Sequence, residues 1–256
     1  MDEPEATRHD GEAREAREPL FNLPGVVVFL IALCTGIHFA RVVLFSPDLD
    51  FDLFVRTAFV PARYSGAYAL DAYAFTTPVT YSLLHGSWLH LAVNMIWLAA
   101  FGSPLANRMG AARFLLFWVF TAVAAAALHF VLHSADLTPL VGASGAISGM
   151  MGAAARFGFQ VDRRAARPIF RGPVLPVGVV FRSRAVMTFL AVWMVVNLVT
   201  GVVGFVPGVD DAIAWEAHVG GFLAGFFGVG LFDRGEGVTQ GPRRATLRGG
   251  SGPFQA

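Results

Sequence analysis

Two residues of this 256-residue chain could act as a nucleophile and its base. They are Ser144 and His218. A serine hydroxyl attacks a carbonyl slowly unless a neighbouring base takes its proton. Histidine is the side chain suited to that task near neutral pH. His90 and Asn94 add a second element. They stand four apart, so on a helix they share one face, and both carry side-chain donors. Donors aimed at one point stabilise the oxyanion that forms when a serine attacks a carbonyl. Backbone N–H groups of Ala143 and Ser144, at the start of a helix, would point the same way. Together these residues describe acyl transfer. His85 lies five before His90, which turns it about 140° around a helix and away from that face.

Bringing a serine and a histidine from separate helices within hydrogen-bond reach needs backbones that approach closely. Small residues at a contact allow this in membranes. Gly142, Gly145 and Gly149 surround and follow Ser144; Gly221 and Gly225 follow His218. Gly145/Gly149 and Gly221/Gly225 are both small-xxx-small pairs. Each candidate residue therefore opens a helix with a small-residue face.

The elements that carry these residues belong in lipid. The chain is 55% apolar and 14% charged, against about 45–50% and 25% for soluble domains. A net charge of +1 lacks the basic footprint of a nucleic-acid binder. Cys34 is the single cysteine, so an internal disulfide is excluded and no Cys/His spacing suggests a metal site. Six segments approach the roughly 20 apolar residues that a spanning helix requires: 23–45, 78–101, 111–133, a short fourth at 144–159, 185–206 and 215–232. Residues 1–19 and 233–256 read as disordered tails around a membrane domain over 20–232. The loop between the first two spans is long and aromatic. It is expected to lie along the interface or to pack on its own helices.

All nineteen basic residues are arginines. With six spans, sixteen of them fall on the side that holds both ends of the chain. Only Arg41, Arg56 and Arg63 fall on the other. The positive-inside rule then places both termini in the cytoplasm and the starts of the Ser144 and His218 helices on the outer side. His90, about 12 residues into the second span, is expected about 18 Å deep. His38 and Asn197 read as packing or bonding residues, His129 and His133 as lying near the outer interface. Arginine without lysine suggests a GC-rich bacterial genome.

The stretch from Leu84 through His85, His90 and Asn94 to Met95, the motif Gly142-Ala143-Ser144-Gly145, and the stretch Ala217-His218-Val219-Gly220-Gly221 with Ala224-Gly225 resemble, in order, the signatures of rhomboid intramembrane serine proteases. The resemblance covers about residues 24–232. It implies an all-α, polytopic, six-helix bundle with a long first outer loop. It implies a Ser–His dyad of Ser144 and His218, and an oxyanion site from His90, Asn94 and the Ser144 backbone. His85 takes a structural role. The implied substrates are transmembrane proteins cleaved within the bilayer of a bacterial inner membrane, with no metal or organic cofactor. Oligomeric state is unread. Three positions depart from the family pattern: Thr76-Thr77 for Trp-Arg, Ala106 for Glu, and Ser148 for the aromatic that can stack on the catalytic histidine, for which Trp215 is a candidate substitute. Trp193 is a candidate substrate-gate residue. Two alternatives stay open: an inactive rhomboid-like binding module, and a small transporter lined by the intramembrane His and Asn.

Overall fold

The computed structural model describes residues 23–66, 69–162, 167–203 and 214–233. Both expected tails lie outside these residues, apart from Asp233. The first helix, α1 (Gly25–Phe39), runs into a π-type turn at Ala40–Leu44. Three described helical stretches are long and apolar enough to cross a membrane: Gly25–Leu44, Trp88–Met109 and Ala111–Leu132. This is an all-α polytopic membrane protein, apart from a two-residue antiparallel ladder between β1 (Val161–Asp162) and β2 (Ile169–Phe170).

The loop after α1 is itself structured. Helix α2 (Pro47–Thr57) starts on a Ser46 cap that accepts from the Leu49 N–H, and α3 (Ala72–Thr80) starts on an Asp71 cap that accepts from the Ala74 N–H. Part of the loop packs on its own helices, and part stays exposed. Helix α2 exposes Leu49, Phe51 and Val55, while Ala58, Phe59, Ala62 and Thr77 are buried. Thr77, one of the departing positions, bonds the Tyr64 hydroxyl at 2.7 Å and so ties the loop to α3.

The second span differs from expectation. Leu84 is extended, and Ser87 caps a new helix, α4 (Trp88–Trp97), by accepting from the His90 N–H at 3.1 Å. Helix α4 continues through a π-type turn at Leu98–Gly102 into α5 (Ser103–Met109). The reason is local. Gly86 favours a break, and Ser87 satisfies an N–H that would otherwise lack an acceptor. His90 is therefore the third residue of its helix, within the first turn, and not about 12 residues along it.

Helix α6 (Ala111–Leu132) follows, then α7 (Ser144–Arg156), the short α8 (Val177–Val180), α9 (Arg184–Val203) and α10 (Trp215–Phe232). The expected end of the fifth span, 204–206, lies outside the described residues. Helix α7 is the axis of the bundle, buried from Gly145 through Ala155. It packs chiefly on α10 and α6. A Cβ on Gly221 would land on the Gly145 carbonyl oxygen, one on Gly225 on the Gly149 carbonyl oxygen, and one on Gly152 on that of Phe222. Glycine at these places lets the two backbones touch, as the small-residue pairs predict.

At the other end of the bundle, Arg108 is buried and bidentate. It donates to Asp233 at 2.6 and 2.8 Å and to the Phe170 carbonyl at 2.8 Å, and it stacks 4.4 Å from the Phe157 ring centroid. Arg156 donates to the carbonyls of Leu175 and Phe226. These bonds join the end of α7 to α10 and to the segment before α8.

Candidate active site

Ser144 is the first residue of α7 and His218 lies in the first turn of α10. The glycine contacts between these helices bring the two together. His218 Nε2 and Ser144 Oγ are 2.7 Å apart. The other ring nitrogen, Nδ1, is 2.5 Å from Asn197 Oδ1 on α9. Asn197 Nδ2 donates to the Trp215 carbonyl at 3.1 Å.

This last bond assigns the protons. A carbonyl only accepts, so the Asn197 amide nitrogen must face Trp215. Its oxygen then faces His218, and Nδ1 must carry the proton it donates. That leaves Nε2 of the neutral ring as an acceptor, and the Ser144 hydroxyl donates to it. A serine bonded to an unprotonated imidazole nitrogen is poised to lose its proton as it attacks. Asn197, expected only as a packing or bonding residue, thus stands third in a Ser144–His218–Asn197 chain. It is buried, 5% exposed. Trp215 enters through its backbone carbonyl, and His218 is held from the Asn197 side where Ser148 offers no ring.

The turn before Ser144 is held from three directions. The Gly142 N–H donates to the Tyr81 carbonyl at 3.0 Å. The backbones of Leu140 and Phe59 bond each other in both directions, which fastens the turn to the loop after α1. The Tyr81 hydroxyl donates to the Ala122 carbonyl on α6. Gly142 adopts φ +122°, a conformation side chains rarely take, and a Cβ there would lie 2.9 Å from both Cε1 and Nε2 of His90 and 3.5 Å from Ser144 Oγ. The His90 imidazole and the Ser144 hydroxyl therefore flank one bare glycine. Ala143 stands at the cap of α7 with no side-chain acceptor. The first-turn N–H groups of any helix have no acceptor within that helix, and those of α7 follow directly on Ala143. Asn94 is buried and donates one of its two amide hydrogens to the His90 carbonyl at 2.8 Å.

His85 is not in this group. It is buried, its ring meets that of His90 edge-on at 5.2 Å, and its carbonyl accepts from His38 Nδ1 at 3.1 Å and Arg41 Nη1 at 3.3 Å. That is a supporting position behind His90. Trp193 stacks on Phe222 at 4.8 Å and lines an apolar cavity of about 210 Å³ between α9 and α10, away from the serine.

Beside the site, Glu216 is nearly buried and bonds His129 Nδ1 at 2.7 Å, with His133 Nε2 at 3.3 Å. Past the end of α6, the Thr138 N–H holds the Asp136 carboxyl below the usual carboxylate range.

Residues 73–233 match the model of the rhomboid domain. The chain belongs to the rhomboid family. Among its relatives are RHOMBOID-like protein 5 of Arabidopsis thaliana, 32% identical over 146 residues, an alignment that covers 56% of this chain and 40% of the relative. RHOMBOID-like protein 6, mitochondrial, of the same plant is 28% identical over 150 residues, 58% of this chain and 40% of the relative. Rhomboid-like protein 15 is 32% identical over 108 residues, 42% of this chain and 22% of the relative. This rhomboid thus spans 40% or less of the length of these relatives. Its matched region contains all three motifs and Asn197.

Proposed function

We propose that this rhomboid is an intramembrane serine endopeptidase that cleaves transmembrane segments of membrane proteins. The observation that carries the reading is the 2.7 Å contact between Ser144 Oγ and His218 Nε2, with Nδ1 bound to Asn197. Ser144 attacks the scissile carbonyl as His218 takes its proton. The carbonyl oxygen becomes an oxyanion beside Gly142, where His90, the second amide hydrogen of Asn94 and the N–H groups of Ala143 and Ser144 supply donors. His218 then protonates the departing amine, and water releases the acyl group from Ser144 by the same path in reverse. No step calls for a metal or an organic cofactor.

The substrate must present an unwound stretch, because a continuous helix hides its peptide bonds. Arginine without lysine supports a bacterial inner-membrane protein, and the arginine distribution supports six spans, both termini in the cytoplasm and the site near the outer face. The assembled Ser144–His218–Asn197 chain favours catalysis over a binding-only relative, which has no use for a hydroxyl bonded to an acceptor imidazole. It also sets the reading apart from a transporter, in which no such bond is required.

The test is cleavage of a reporter protein with a single transmembrane segment in proteoliposomes. Wild type cuts it, and Ser144→Ala and His218→Ala do not. Cleavage by Ser144→Ala at the wild-type rate rejects the assignment.

A further inference from the structure

His129 lies in the last turn of α6 and His133 caps its end, with their rings 5.3 Å apart. Across from them Glu216 opens α10. The candidate ligand atoms of the three residues lie within 4.8 Å of one another. We propose that His129, His133 and Glu216 form a binding site for a zinc-class divalent ion that clamps the start of α10 to the end of α6. This site is separate from the Ser144 hydroxyl, and the proposal does not rest on the proteolytic reading.

The donor set selects the ion. Two imidazoles and one carboxylate suit zinc and its first-row neighbours, whereas magnesium and calcium take oxygen ligands. Three protein ligands with one position left for water are a recurring zinc arrangement. The spacing fits as well. Ligand bonds of about 2.0–2.1 Å in a tetrahedron put ligand atoms about 3.3–3.4 Å apart. His133 Nε2 and Glu216 Oε1 already stand at 3.3 Å. His129 Nδ1 and the same oxygen are hydrogen-bonded at 2.7 Å. An ion replaces the proton between them: this pair opens by a fraction of an ångström, while the two imidazole donors, within 4.8 Å of each other, draw together around the ion.

Access and charge also agree. His129 and Glu216 are buried, with side chains 7% and 5% exposed, while the His133 side chain is 45% exposed and forms the mouth. Asp136 follows three residues later, within electrostatic range of both imidazoles, so the mouth carries a second negative charge. A carboxylate and two neutral imidazoles leave net negative charge for a cation to neutralise. Because Glu216 is two residues before His218, an ion there fixes the turn of α10 that presents the base.

The test uses the full, untagged chain in detergent after chelator treatment. Cobalt(II) reports four-coordinate binding by its visible absorption, and zinc then competes for the site. The expected result is one equivalent of tightly bound ion, displaced by zinc and not by magnesium or calcium, with a Tm that rises on zinc addition. His133→Ala and Glu216→Gln each weaken binding at least tenfold and abolish the rise in Tm. If Glu216→Gln fails to fold, His133→Ala decides alone, since its side chain is half exposed and its metal-free Tm checks folding. Absence of saturable binding in wild type, or equal binding by His133→Ala, overturns the proposal.

Discussion

The oxygen of Asn197 lies 2.5 Å from Nδ1 of His218, on the side of the imidazole opposite Ser144. The dyad expected from the sequence is therefore backed by a third, neutral group. An amide oxygen orients the ring and selects its tautomer, but it offers the imidazolium less charge stabilisation than a carboxylate would.

Asn197→Ala is accordingly expected to lower kcat by roughly 10-fold or more, a share of the 10²–10⁴-fold typical of general acid–base catalysis. KM should change little, because Asn197 acts on the substrate only through His218. Asn197→Asp keeps the acceptor and should recover part of kcat. Steady-state cleavage of the reporter gives the split. A change in KM alone would remove Asn197 from its positioning role.

Gly142→Ala places a methyl group against the His90 imidazole and forces φ +122° on a residue with a side chain. The backbone strain alone costs about 1–3 kcal/mol. Moving His90 displaces a proposed oxyanion donor, whose loss costs about 10²-fold or more in kcat. Ser144 should remain reactive at a reduced rate, measured as the rate constant of active-site labelling. A wild-type rate would show that the turn relaxes without disturbing His90.

Gly225→Ala tests the packing that joins the pair. Its Cβ would overlap the Gly149 carbonyl oxygen, backbone against backbone, so α7 and α10 must separate. Overpacking of this kind costs about 1–3 kcal/mol, and the separation lengthens the Ser144–His218 contact. Tm and cleavage should fall together. Gly230→Ala, with open space around it, should change neither and serves as the control.

Arg108→Ala should separate stability from chemistry. Its side chain is 4% exposed and its partner Asp233 is 10% exposed, and breaking a buried ion pair costs about 3–5 kcal/mol. Thermal unfolding should register that loss. The protein that remains folded should label at Ser144 as wild type does, because the pair sits at the far end of α7.

The Ser144–His218 pair was legible in the sequence because each member carries its small-residue environment along its own helix. Gly145/Gly149 follow Ser144, and Gly221/Gly225 follow His218. Asn197 was not. It lies on a third helix, flanked by Val196 and Leu198, with no glycine or charge to mark its face, and only the crossing of α9 and α10 gives it meaning. Glu216 was missed for a similar reason: its partners are His129 and His133, 87 residues earlier in the case of His129. The break before α4 did leave a signal, Gly86 followed by a serine three residues before His90. Continuous apolarity on either side outweighs it when the stretch is read as a single span, which puts His90 in the middle of a helix rather than in its first turn. The membrane character was legible because Gly25–Leu44, Trp88–Met109 and Ala111–Leu132 are apolar over lengths that lipid requires.

The central claim is that Ser144 is a nucleophile activated by His218. A fluorophosphonate probe reacts with activated serines and needs no knowledge of the substrate. Wild type in detergent should be labelled covalently at Ser144, His218→Ala should label far more slowly, and Ser144→Ala should not label. Equal labelling of wild type and Ser144→Ala, or none of a folded wild type, would contradict the account.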